Sequence, residues 1–212
     1  MPASPDLSGQ APAPSQDKPE GSITLEELLQ RMRSAPGVIT EFRETRTLAL
    51  LSEPLVTKGL LFFKPPDRMV RRTTVPGHTR MVVDGDAVRF SDIDGAQDMD
   101  LASNPVARQL VDSFMVLFNG DAERLRDLYE VDFEGEGARW RLMLRPRRAP
   151  LDRLVASLEL AGDGPRMERM ELIEPDGDST VTGFGRMDVE HHFGDGPLDA
   201  IVGGEALFPA SR

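Results

Sequence analysis

The residues most able to do chemistry are three histidines, a cluster of aspartates and a large stock of other carboxylates. His78, His191 and His192 do not fall in HExxH or in another metal-ligand spacing. His191 and His192 are neighbours at the end of an expected strand, so they point to opposite faces and make poor co-ligands. Asp92, Asp94, Asp98 and Asp100 in SDIDGAQDMD have the charge of a calcium loop but not its geometry. Counting from Asp92 puts Gln97 where the sharp turn needs glycine, and Ser103 where a bidentate glutamate is needed. The stretch reads as a solvated acidic loop. There is no GxSxG, no glycine-rich phosphate loop and no Ser, His and Asp set at a workable spacing. Chance carboxylate pairs stay open among 36 acidic residues, but nothing argues for an enzyme, a metal or a cofactor.

What remains is apolar. Phe42, Leu60, Leu61, Phe62, Phe63, Met69, Met81, Phe90, Met170, Leu172 and Phe184 lie on separate expected strands, and Phe114, Met115, Leu117 and Phe118 on an expected helix. Met and Phe suit an adaptable greasy pocket. They suit a solid core as well, and periodicity alone favours the core.

The elements that must position these residues can be read in order. Thr24 and Glu27 have capping-box spacing, and Leu25, Leu28, Leu29 and Met32 follow at i, i+3, i+4 and i+7, predicting a helix over 24–34 that ends at Ala35-Pro36-Gly37. The stretch 37–72 then reads as a long strand, a turn at Ser52-Glu53-Pro54, a second strand apolar on both faces, a Pro65-Pro66-Asp67 corner and a third strand. A hairpin around Asp84-Gly85-Asp86 follows. Asn104-Pro105 caps a second helix over 104–118, stopped at Asn119-Gly120, and Asp121 starts a shorter one to Tyr129. Strands resume at 130–134, 139–145, 155–160, 167–174 and 180–189. Gly183 and Gly185 flag a bulge or a close approach in the last of them. Helices that interrupt such a run of strands usually cover an open sheet face.

Length and charge bound the partners. A chain of 212 residues can form one domain with a sizeable core, expected over 22–212. Residues 1–21, rich in Pro, Ala, Ser and Asp, have little to bury and read as a flexible tether. A formal net charge of -11 disfavours nucleic acid and anionic lipid surfaces. With 0 cysteines there is no disulfide, thiolate zinc site or cysteine nucleophile. No apolar run approaches the roughly 20 residues of a membrane span, and the first residues lack the basic and apolar regions of a secretory leader.

Several motifs resemble the Lol-type carriers, periplasmic proteins that ferry lipoproteins to the outer membrane. They are Phe42 in TEFRE, Gly59-Leu60-Leu61-Phe62 leading to Lys64-Pro65-Pro66-Asp67, the MVVDGDAVRF and IEPDGDSTVTGFG hairpins, and the closing Ala206-Leu207-Phe208-Pro209. The resemblance covers about residues 24–209. It implies an incomplete antiparallel β-barrel of about eleven strands, with helices as a lid over a cavity for acyl chains. It also implies a periplasmic protein whose leader is gone, a monomeric soluble carrier without a lipidated cysteine, and an inner-membrane transporter and an outer-membrane acceptor as partners. One departure stands out: the family's lid-holding arginine, just before the proline of the second-strand corner, is here Pro65, which can donate nothing.

The expected cargo is the acyl chains of lipoproteins or related lipids, lined by Phe42, Leu61, Phe63, Met69, Met81, Phe90, Phe114, Phe118, Met170 and Phe184. If Phe42 points inward, strand parity brings Thr40, Glu44 and Arg46 with it, and the family register adds Arg71. Glu44, Arg46 and Arg71 are then polar groups in an apolar enclosure that need partners, and Arg71 or Arg46 is the candidate to hold the lid or receive a polar head. The alternative is a sensor on the same fold that regulates a membrane partner in response to lipid or lipoprotein. An enzyme on this scaffold lacks its catalytic set.

Overall fold

The computed structural model describes residues 22–196. The expected tether and the Ala206–Pro209 motif lie outside the described residues, as does the side chain of Phe114. Thr24 opens α1 (Leu25–Ser34) with the predicted capping box: the Glu27 N–H donates to Thr24 Oγ1 at 3.1 Å, and the Thr24 N–H to Glu27 Oε2 at 2.8 Å. The chain then runs through β1 (Val38–Thr47), β2 (Leu55–Lys64), β3 (Arg68–Val75), β4 (Thr79–Asp84), β5 (Ala87–Ser91) and β6 (Ala96–Asp100). After α2 (Pro105–Phe118) and α3 (Ala122–Leu128) it returns as β7 (Tyr129–Glu136), β8 (Arg139–Pro146), β9 (Ser157–Asp163), β10 (Arg166–Ile173) and β11 (Ser179–Asp188). Among the described residues no helix is long and apolar enough to cross a membrane.

The eleven strands form one antiparallel sheet in the order β6-β5-β4-β3-β2-β1-β11-β10-β9-β8-β7, an incomplete barrel with β6 and β7 as free edges. Two meanders join at β1 and β11. The chain leaves the sheet at one edge and re-enters at the other, so α2 and α3 lie on the connection between the edges. The flagged glycines sit at a bulge: Thr40 pairs with Met187 but Phe42 with Phe184, which leaves one extra residue on β11 around Gly185.

The acidic stretch 92–100 is corrected by the structure, because residues 96–100 form β6 and are not a loop. An Asp94-Gly95 turn, closed by the Asp92 N–H donating to the Gly95 carbonyl at 3.0 Å, makes the hairpin. Arg89 holds Asp98 across the strands through bonds of 2.6 and 3.1 Å, and this hydrogen bond keeps the Asp98 carboxyl below the usual range. An all-exposed strand shows no apolar alternation, so periodicity could not reveal it. The histidines are also placed differently. β11 ends at Asp188, and His191 lies beyond it, edge-on to Phe193 at 4.6 Å.

The second strand is apolar on both faces for two separate reasons. Ile39, Phe62, Val70 and Val82 are successive cross-strand partners on the outer face, and Leu60 and Phe193 pack against the buried members of this row. Leu60 and Phe62 therefore do not share a space with Leu61 and Phe63. On the inner face, the part of the sheet containing β7–β9 is solid. Trp140, Leu142, Leu144, Leu158 and Leu160 pack there with Leu25, Leu28 and Leu29 of α1, Val116 and Leu117 of α2, and Leu125 of α3.

Tyr129, the chain's one tyrosine, is 1% exposed in this core and donates to the Ser113 carbonyl of α2 at 3.3 Å. Burial favours the neutral phenol and pushes its pKa up to about 12. Its contribution to stability is therefore present below pH ~10 and is lost as the pH rises from ~10 to ~12, at about 1.4 kcal/mol for each pH step of one in that window. Absorbance at the phenolate band, which reads Tyr129 alone, is expected to titrate well above the free value, and Tyr129→Phe should lack this part of the alkaline loss. Titration near pH 10 in the folded protein would show the phenol to be solvated.

Candidate functional site

The other half of the inner face is not solid. Two adjoining apolar cavities lie along β1, one of about 360 Å³ and one of about 320 Å³. The first is lined by Phe42, Leu61, Met69, Met81, Met170 and Phe184 from the sheet and by Val111, Met115 and Phe118 from α2, with Val83 and Val88 at its side. The second is lined by Val38, Leu61, Phe63, Met167, Phe184 and Met187 and by Phe118, and is covered by Arg31, Met32, Ser34 and Ala35 at the end of α1. Leu61, Phe118 and Phe184 belong to both and form the partition. Phe63 stacks on Phe118 at 5.0 Å with tilted rings, which supports that partition from the second side. Cavities of this size fall in the range of small-ligand sites.

Gly59 explains how Phe42 fits into the wall. A Cβ at Gly59 would run into the Arg72 backbone carbonyl of β3 and also lie 2.9 Å from the Phe42 ring, so the glycine lets both the third strand and the ring come close. The Arg71 guanidinium carbon in turn lies 4.6 Å from the centre of that ring, a cation–π contact.

A polar cluster is set into this wall. Thr182, Glu44 and Thr57 are successive cross-strand partners on β11, β1 and β2, and Arg71 reaches them from β3. Arg71 Nη2 donates to Glu44 Oε1 at 2.9 Å and to Thr57 Oγ1 at 3.5 Å. The Thr57 hydroxyl donates to Glu44 Oε1 at 3.3 Å, and the Thr182 hydroxyl to Glu44 Oε2 at 3.5 Å. Arg71 and Glu44 are 32% and 22% exposed, so the pair faces the cavity and is not sealed into the core.

Of the residues singled out in the sequence, Phe42, Glu44, Leu61, Met69, Arg71, Met81, Phe118, Met170 and Phe184 converge on one cavity, with Phe63 beside them on the other. Phe90 does not line either. It pairs with Met81 in register but is 43% exposed, because α2 is tied to the sheet at the β4–β5 turn, where Arg108 pairs with Asp86, and not at the far end of β5. Arg46 is corrected as well. It lies past the cavity near the end of β1 and meets Glu174 at 2.9 Å. Asp176 and Asp178 beside Glu174 accept from the Asp178 and Ala49 N–H groups, so this acidic turn is occupied by the chain itself.

Sequence reasoning missed Thr57 and Thr182. Their signal is short: each is a hydroxyl directly opposite Glu44, visible only once the register of three strands is known. Among the described residues, none of the bonds to Arg71 comes from a helix. The helices are tied down elsewhere. Arg108 bridges Asp86 and Asp112, bonds that hold its guanidinium above its ordinary pKa, and Arg126 of α3 pairs with Glu26 of α1.

An open sheet with an apolar cavity under two helices narrows the family, and the sequence comparison decides it. The profile of the outer membrane lipoprotein carrier protein LolA-like family matches residues 18–187. The chain belongs to the LolA-like family. No curated protein matches it. Among solved structures, it is similar to MucB in the Pseudomonas aeruginosa MucA/MucB complex, with 16% identity and a TM-score of 0.50 over 85% of this chain and 61% of that one. It is also similar to the LolA superfamily protein NE2245 from Nitrosomonas europaea, at 9% identity, a TM-score of 0.43, and 84% and 97% coverage. The Mycobacterium tuberculosis lipoprotein LppX matches at 11% identity and a TM-score of 0.39, with 78% and 95% coverage. The MucB likeness shows a shared fold, and the chain spans about three fifths of that protein. Membership of the LolA-like family supports a lipid- or lipoprotein-binding, carrier-type function in general.

Proposed function

We propose that this LolA-like protein is a periplasmic carrier that takes acyl chains of lipoproteins or related lipids into its apolar cavity and shuttles them toward the outer membrane. The observation that carries the reading is the pair of adjoining apolar compartments between the sheet and α1 and α2, in a half of the fold where the opposite half is packed solid. Burial of each methylene contributes about 0.8 kcal/mol, so a short length of chain in either compartment is enough to draw a lipid from water. Phe42, Leu61, Met69, Met81, Phe118, Met170 and Phe184 are the proposed acyl contacts. Release requires α1 or α2 to move, and Arg108 at Asp86 takes the place of the missing corner arginine as the tie between lid and sheet. The working unit is a monomer of one domain, with an inner-membrane donor and an outer-membrane acceptor as partners. A net charge of -11 weakens adsorption to anionic membranes between them, which suits a shuttle.

The test is native mass spectrometry on protein purified without detergent, followed by identification of extracted lipid. An acyl species that leaves on denaturation is the expected result. Absence of any acyl ligand, together with no binding of added lipid or lipopeptide, overturns the carrier reading. A second reading, a lipid-responsive sensor, draws on the fold shared with MucB, which is solved in complex with MucA. A sensor holds a membrane regulator in a stable complex, whereas a carrier gives its cargo to an acceptor and comes away.

A further inference from the structure

The ion pair in the cavity wall bears on the kind of head group an acyl cargo would carry, an inference that rests on the carrier reading. Glu44 is the acceptor for three donors: Arg71 Nη2 at 2.9 Å, the Thr57 hydroxyl at 3.3 Å and the Thr182 hydroxyl at 3.5 Å. Its charge is matched and its oxygens are engaged. Arg71 is used unevenly. Its Nη2 serves Glu44 and Thr57, its guanidinium plane lies by the Phe42 ring, and its Nε and Nη1 donors have no acceptor among the described residues.

The wall therefore presents free N–H donors with no net charge behind them. A carboxylate entering here would meet Arg71 already neutralised and would sit close to the Glu44 anion inside an apolar enclosure, where repulsion is strong. A neutral carbonyl needs only a donor, and its chain can lie against Phe42, Met69 and Met170. We propose that Arg71 and Glu44 together form a receptor for a neutral acyl carbonyl, ester or amide, and reject a free fatty acid. Glu44 sets the charge selectivity and Arg71 makes the contact.

Three probes of equal chain length test this by calorimetry or dye displacement at pH 8: dodecanoate, monododecanoylglycerol and N-dodecanoylglycinamide. The ester stands for a free acyl lipid and the amide for an acylated polypeptide, and whichever binds tighter tells which source the wall fits. Both neutral probes are expected to bind at least about tenfold tighter than dodecanoate, or about 1.4 kcal/mol. In Glu44→Gln the lone guanidinium should strengthen dodecanoate binding until the gap falls below about threefold, and Arg71→Gln should weaken both neutral probes by about tenfold. A cavity that refuses anions merely because it is apolar would leave the ratio unchanged in Glu44→Gln, and that result overturns the proposal. So does a wild type that binds dodecanoate as tightly as the neutral probes, a comparison that needs no variant to fold. If none of the three binds the wild type, it is the carrier reading itself that fails.

Discussion

Leu61→Trp is expected to weaken acyl binding by roughly a hundredfold in a protein that still folds. Leu61 sits in the partition, so a larger side chain there projects into both compartments at once. Its cross-strand neighbours are Thr40 and Arg71, which leave the added ring nowhere to go but the cavity. If the indole excludes about four methylenes from burial, the loss is about 3 kcal/mol, or roughly a hundredfold in Kd. Overpacking of a filled core costs about 1–3 kcal/mol, and the cost here should fall at the low end because the space is open. Leu55→Trp, at a residue 48% exposed on the same strand, is the control and should bind like wild type. Displacement of a fluorescent acyl probe measures both. A folded Leu61→Trp protein that keeps wild-type affinity would place the ligand somewhere other than this cavity.

Gly120→Ala is expected to be strongly destabilising for the helices that cover the sheet. Gly120 ends α2 with φ +61°, a left-handed conformation that costs a non-glycine residue about 1–2 kcal/mol. A Cβ there would also run into the Leu29 carbonyl oxygen of α1 and come within 3.1 Å of Arg33 Cβ. Leu28 and Leu29 are 0% and 1% exposed, so α1 cannot yield without opening the core. The sum is about 3 kcal/mol or more, which at a urea slope of about 1–3 kcal/mol/M moves the midpoint down by about 1 M or more. Trp140 is the chain's one tryptophan, buried and bonded through Nε1 to the Gly164 carbonyl at 2.9 Å, and its fluorescence follows the transition. Gly137→Ala separates the two costs. Gly137 has φ +57° with open space around it, so it carries the backbone cost alone. Equal losses in the two variants would show that α1 and α2 do not touch as described.

Local chemistry was legible in the chain because it acts over a few residues. The capping box of Thr24 and Glu27, the Asn104-Pro105 start, the Gly120 stop and the Asp-Gly turn of the β4–β5 hairpin each follow from a side chain and its immediate neighbours. Alternation along β1 put Thr40, Phe42 and Glu44 on one face, and the structure places all three on the inner side of the sheet. Parity carries no information about where a face stops being covered. Arg46 obeys the same alternation and Phe90 the same register, yet each falls beyond the reach of the helices.

What the sequence by itself determined is the class of the wall: antiparallel meanders of strands, apolar on one face, with two amphipathic helices to cover it, while the incomplete barrel came with the family resemblance. Apolar periodicity cannot distinguish a filled core from a cavity, because both bury the same residues. That difference depends on how far a helix stands from the sheet. Tertiary structure decided it in both directions: solid where α1, α2 and α3 meet β7–β9, and open where α2 and the end of α1 stand over β1–β4. It also decided the polar cluster. Glu44 and Arg71 lie 27 residues apart, and Thr182 lies 138 residues from Glu44, so only the register of β11, β1, β2 and β3 brings two charges and two hydroxyls to one spot.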